Sequence, residues 1–190
     1  MTIKHPTPRL HEIIRPRTGT FLLSRWGTGT PDRTRAAAEA IAEEWTTGAK
    51  PEGHLAQHMY LDVDGTGILH YAQWRSDEEH LEFARALRPA VISRVDRLVP
   101  GIERPGLRRT RLHRSVVTDA TSAAGILAVT TLATPDPEPR PGALAAHVHA
   151  GTDGGPAVEL AEWADLAAYE AAAGERPGAD VRLYTYYRAV

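Results

Sequence analysis

The chain has 190 residues, 42% of them apolar, a formal net charge of −2 and no cysteine. That suits one ordinary domain or two small ones; it excludes disulfides and thiolate metal sites, and it gives no global pull toward nucleic acid or membranes. No apolar run approaches the roughly 20 residues of a membrane span, and the polar, proline-bearing start lacks the apolar stretch of a secretory signal, so a cytoplasmic protein with no nucleic-acid or membrane partner is expected.

Residues 1–18 read as a mobile arm. Thr20 to Trp26 is a first strand. Thr30 and Pro31 form an N-cap and first-turn pair, and Ala37, Ala40, Ile41 and Trp45 follow at helical spacing to about Thr47;. His54 to Val63 is a second strand, Asp64-Gly65 a hairpin turn, and Ile68 to Trp74 a third strand;. Ser76 to Glu79 is a capping box that opens a helix through Leu87; Pro89 interrupts it, and a second helical piece runs to Val99;. Leu107 to Val117 is an arginine-rich fourth strand. The order β-α-β-β-α-β is the ferredoxin-like pattern.

The pattern then recurs. His54 to Trp74 aligns without a gap on Ala143 to Trp163, so that His58 meets His147, Asp64-Gly65 meets Asp153-Gly154, and Trp74 meets Trp163. Gly125 to Ala133 is the strand before this block, a short helix runs from Asp165 to Gly174, and Val181 to Val190 is the last strand. The first half spends 27 residues between Trp26 and His54, whereas the second spends 10 between Leu132 and Ala143, in a run carrying four prolines. A helix cannot form there. The expected fold is therefore α+β: tandem ferredoxin-like repeats packed into a barrel of the dimeric α+β type, residues 19–118 and 123–190, the second repeat lacking its first helix. The uncovered face left by that helix makes a homodimer the expected assembly.

On the third strand, His70, Ala72 and Trp74 alternate onto one face, and the small Ala72 leaves room above it. His80 lies in the first turn of the next helix, and His54 and His58 are expected on the same face of strand two. Nine histidines raise the question of a metal, but His147-x-His149 has no third ligand at a recognisable spacing, and no metal site is expected;. The five arginines between Arg104 and Arg114 read as a solvated strand edge;.

The run Asp64-Gly-Thr-Gly-Ile-Leu-His-Tyr-Ala-Gln-Trp74, the acidic helix start with Glu79 and His80, and Gly53-His54-Leu55 at the entry to strand two together resemble the antibiotic-biosynthesis monooxygenase family. The resemblance implies small dimeric α+β-barrel proteins. It is similar to anthrone oxygenases of aromatic polyketide pathways, which use molecular oxygen and no cofactor. Their site uses an Asn four residues before a strand-three Trp, the Trp itself, and a Tyr six residues after it. Those positions hold His70, Trp74 and His80 in the first half, and Glu159, Trp163 and Tyr169 in the second; neither half keeps the whole set.

The resemblance thus implies an oxygenase for a phenol- or anthrone-type polyketide, working with O₂ and without metal, haem or other cofactor. His70 is cast as hydrogen-bond partner or base, His80 as a second proton-transfer group and Trp74 as an aromatic platform. His54, His58, Trp163, Tyr169 and Glu159 are the candidate substrate-binding residues. Each has a plainer reading: core tryptophans at strand ends, satisfied or solvated histidines, a strand glutamate in an ion pair, a packed tyrosine. The alternatives at the level of function are an oxygenase assisted by reduced flavin, or a cyclase, isomerase or ligand-binding protein on the same fold.

Overall fold

The computed structural model describes residues 7–48, 50–135, 140–152, 154–172 and 180–190. In chain order the elements are α1 (Leu10–Ile13), β1 (Thr20–Gly27), α2 (Pro31–Thr47), β2 (His54–Asp62), β3 (Gly67–Trp74), α3 (Asp77–Ala86), α4 (Arg88–Leu98), β4 (Leu107–Val117), β5 (Ile126–Leu132), β6 (Ala145–Gly151), β7 (Ala157–Trp163), α5 (Leu166–Ala172) and β8 (Val181–Ala189). The protein is α+β, and its chain divides into two compact units: Arg15–Thr110 with Tyr187–Val190, and Arg111–Tyr186 with the residues up to Ile14.

In the first unit the strands run in the order β4-β1-β3-β2, all antiparallel, with β4 pairing through Leu107 to Thr110. The β2–β3 hairpin closes over Gly65, whose φ of +72° suits a residue without a Cβ;. The Thr66 N–H donates to Asp64 Oδ1 at 3.0 Å and fixes the turn;. One sheet face carries α2, α3 and α4. Helix α2 starts where Thr30 accepts from the Arg33 N–H, and it buries Ala37, Ala38, Ala40, Ile41 and Trp45 against Leu22, Ile68 and Trp74 of the sheet. Ser76 caps α3 by accepting from Glu79 N at 3.2 Å. Pro89 has no N–H to continue that helix, so α3 ends at Ala86 and α4 starts anew at Arg88, as the sequence predicts;. An Arg94–Glu44 ion pair, 2.6 Å, ties α4 to α2.

One expectation fails inside β2. The ladder between β2 and β3 slips between His54 and Ala56, leaving Leu55 as an extra residue. A one-residue bulge exchanges the faces of every later side chain. Gln57 therefore takes the face of Ala72, and His58, opposite Tyr71, takes the other.

In the second unit the strand order is β6-β7-β5-β8, also antiparallel. Helix α5 covers one face, where Trp163, Ala161, Ala128 and Ile126 pack with Leu166 and Tyr169. No helix lies between β5 and β6 among the described residues; the centre of the proline-rich run, the turn residue Asp153 and the expected helix end at Gly174 lie outside them.

The expected mobile arm is corrected from residue 9 onward. Arg9 is 4% exposed; its Nε donates to Glu162 Oε2 at 3.0 Å, and its Nη1 donates to the carbonyls of Asp119 and Ser122. The Leu10 N–H donates to Glu162 Oε1 at 2.8 Å, and Leu10 and Ile13 are buried. A buried carboxylate on β7 needs donors, and the N-terminal segment supplies them. The boundaries move for a similar reason. Ser115 Oγ lies 2.8 Å from His147 Nδ1 and the Thr118 N–H donates to the Leu144 carbonyl, so the end of β4 belongs to the second unit. The Val190 N–H donates to the Gln57 carbonyl at 2.9 Å, so the chain end belongs to the first. No helix among the described residues is long and apolar enough to cross a membrane.

Candidate active site

The helix-covered face of the first unit holds a mainly apolar cleft with a cavity volume of about 80 Å3 and an open mouth. Its floor is His70, Ala72 and Trp74 of β3; Leu22 and Trp26 of β1, Trp45 of α2, His80 and Phe83 of α3, and Arg88 and Val91 of α4 close around it. The alternation of β3 puts all three floor residues upward, and Ala72 leaves the gap between the two rings.

The walls are aromatic. Trp74 is 1% exposed, and its ring centroid lies 5.2 Å from those of His54, His80 and Phe83. His54 stacks on Trp45 at 4.2 Å, and His70 meets Trp26 at 4.7 Å. Arg104 covers the outer side of Trp26, 4.1 Å from its centroid, and is itself paired with Asp96 at 2.7 Å. Edge-to-face and tilted contacts of this kind hold rings in fixed planes, which suits a flat ligand.

The polar atoms in this apolar shell are few. Gln57 Nε2 lies 3.2 Å from His70 Nδ1. With the amide nitrogen turned to it, Nδ1 is the acceptor and the ring proton sits on Nε2. That Nε2 is buried and has no hydrogen-bond partner among the described residues. Arg109 Nη2 lies 3.2 Å from His80 Nδ1, and because a guanidinium only donates, His80 also carries its proton on Nε2;. Burial, then the charges of Arg104 and Arg88, lower the His70 pKa to about 3. Burial, then Arg109 and Arg88, lower that of His80 to about 4, against a small opposing effect of Asp77. Burial and Lys50 lower His54 to about 4. At neutral pH these rings are neutral.

Of the residues expected at the site, His54, His70, Trp74 and His80 come together here. His58 does not, because the bulge at Leu55 turns it to the opposite face, where burial and Arg15 lower its pKa to about 4. Trp163, Tyr169 and Glu159 belong to the second unit. Trp163 and Tyr169 meet edge to face at 5.5 Å within the apolar cluster under α5. Glu159 is 1% exposed on the same strand face as Trp163, between Thr130 and Val148 in the ladders. The expectation missed Gln57, Trp26, Trp45 and Arg88. Gln57 became visible only with the bulge, whereas Arg88 had a signal: it precedes the proline that breaks the helix above the cleft. Among the described residues no three His, Asp or Glu side chains lie close enough to hold a metal ion.

No protein-family model and no curated protein sequence matches the chain. Solved structures do. An anthrone oxidase-like protein superposes with a TM-score of 0.67 at 17% identity, over 90% of this chain and 92% of that one. A candidate monooxygenase from Lactobacillus acidophilus gives 0.52 at 11% identity, covering 90% and 95%. A chlorite dismutase variant from Candidatus Nitrospira defluvii gives 0.56 at 11% identity, covering 94% of each chain. At such identities the likeness is one of fold, shared by proteins of differing chemistry.

Proposed function

We propose that the protein is an oxygenase that takes a flat phenolic or anthrone-type polycycle into the cleft of the first unit and oxidises it with O₂, using no metal, haem or flavin of its own. The single observation that carries this reading is the donor arrangement in the aromatic cleft: His70 Nε2–H is buried and unpartnered among the described residues, in a cleft that Trp74 and Arg88 also line. The fold shared with an anthrone oxidase-like protein and with monooxygenase candidates supports it. The strand orders of the two units, with the aligned Trp74 and Trp163, support reading them as tandem copies of which the first does the chemistry.

For an anthrone the reaction balances without another reagent. The ring CH₂ becomes a carbonyl, the substrate supplies all four electrons, one oxygen atom enters the product and the other leaves as water. The difficult step is the first, in which an electron-rich enolate passes an electron to O₂. The protein's part is to hold the oxygen that bears the enolate charge, keep the ring planar and exclude water. A donor fixed in a dry pocket does this without reorganising when the charge develops. His70 serves in this reading as that donor rather than as the base, because a ring with its pKa near 3 is a weak proton acceptor;.

Oxygen consumption by the purified protein with an anthrone tests the proposal, and one O₂ per quinone formed is the expected stoichiometry. No uptake with anthrones or phenolic polycycles, with or without reduced flavin, would remove it. Uptake that begins only when reduced flavin is added would replace the cofactor-free form by the flavin-assisted one.

A further inference from the structure

We propose that the cleft selects its substrate as an anion, seating one ionised phenolic or enolic oxygen between the Arg88 guanidinium and the Nε2–H of His70. This rests on the cleft being the substrate site. It adds which chemical form of the substrate binds and which residue chooses it.

The charge inventory around the cleft carries the argument. Among the described residues Arg88 is the charged side chain in the lining, and no carboxylate lines it. Among the described residues no Asp or Glu pairs with Arg88. The neighbouring charges are committed elsewhere. Arg104 is paired with Asp96, Glu44 with Arg94, Asp77 accepts from the Thr20 hydroxyl, and Arg109 donates to His80. Arg88 is therefore a half-buried cation with no counter-charge among the described residues, and burial followed by Arg104 pulls its pKa down from the ordinary value. A cation in that position lowers its free energy by taking an anion.

The hydrogen-bonding groups point the same way. His70 has its acceptor nitrogen occupied by Gln57 and presents a donor; His80 has its acceptor nitrogen occupied by Arg109. Donors and a cation, with no carboxylate to remove a proton, fit a ligand oxygen that has already lost its own. The proton of a bound phenol would leave to solvent, drawn off because the site favours the anion. An opposite charge within about 4–6 Å lowers an acid's pKa by about 1 to 3 units.

The test uses the whole protein and a hydroxyanthraquinone, which is already oxidised at its central ring and changes colour when its phenol ionises. Absorbance titration gives its pKa free and bound. The expected bound value lies at least about one unit below the free one, equivalent to roughly tenfold tighter binding of the anion than of the neutral phenol. Arg88→Met should remove most of the shift, Arg88→Lys should keep part of it, and circular dichroism should show both variants folded. An unchanged or raised pKa on binding to the unmodified protein would overturn the proposal, as would a full shift surviving in Arg88→Met or no binding at all. The oxygenase reading fails separately: a lowered dye pKa without oxygen uptake from any anthrone leaves an anion-binding cleft and removes the reaction.

Discussion

The imidazole of His70 is hydrogen-bonded through Nδ1 to Gln57, and its other nitrogen is buried without a hydrogen-bond partner among the described residues. His70→Leu removes that donor while keeping a similar volume. Turnover of an anthrone should fall by roughly 10²-fold, the usual cost of one oxyanion donor, and His70→Gln, whose amide can donate, should recover part of it. Equal activity in the Leu and Gln variants would show that shape rather than donation matters there. That β3 turned His70 and Trp74 to one face was legible from alternation alone. The tautomer was not, because it depends on a side chain from the neighbouring strand, and Gln57 reaches it only through the bulge at Leu55. Arg88 was marked only by its place before Pro89, a signal of a helix start and not of a task; the cleft it lines supplies the task.

Elements were read more securely than residues. The limits of α2 and the break before α4 follow from Thr30, Pro31 and Pro89, which act through their own backbone chemistry;. Helix α1 was missed because four residues with no periodic pattern fold only against a partner, the Glu162 carboxylate. Burial raises the Glu162 pKa, but the approach of His147, the Leu10 N–H and the Arg9 charge outweigh it and leave the group below its ordinary value. Glu162→Gln leaves Arg9 buried without a counter-charge, and the expected loss is about 3–5 kcal/mol, the range for a broken buried pair. Urea unfolding measures it, and an unchanged midpoint would mean that α1 contributes nothing to the fold. The pair's stabilisation is present at neutral pH and is lost in acid, as pH falls through the depressed pKa of Glu162.

Across the whole molecule the buried histidines make stability depend on pH. His54, His58 and His80 are lowered to about 4, and His70 and His149 to about 3, all from an ordinary 6.5. Between those values the unfolded chain binds protons that the folded one refuses, so stability is complete above about pH 6.5 and declines as pH falls toward 4. For an enclosed ring such as His70 the slope approaches about 1.4 kcal/mol per pH unit, and for the more open His80 it is smaller. Thermal melting at pH 7.5 and pH 5 should differ by several degrees, and a flat profile would mean that the rings are hydrated. Substituting the two tryptophans separately tests which unit does the chemistry. Trp74→Phe should lower turnover while Trp163→Phe leaves it near the original, since Trp163 packs under α5 and Trp74 floors the cleft. The reverse result would move the working site to the second unit.

By itself the sequence determined the secondary elements from β1 onward, the repeated Asp-Gly signal and terminal tryptophan, and the face on which His70 and Trp74 stand, because periodicity, caps and turns are written in neighbouring residues. Only the tertiary structure decided which histidines share the cleft, where their protons sit, that the N-terminal segment is held by Glu162, and that Arg88 lines the cleft without a counter-charge among the described residues. Those depend on one extra residue in a strand and on side chains far apart in the chain, and they are settled by packing and burial rather than by local pattern.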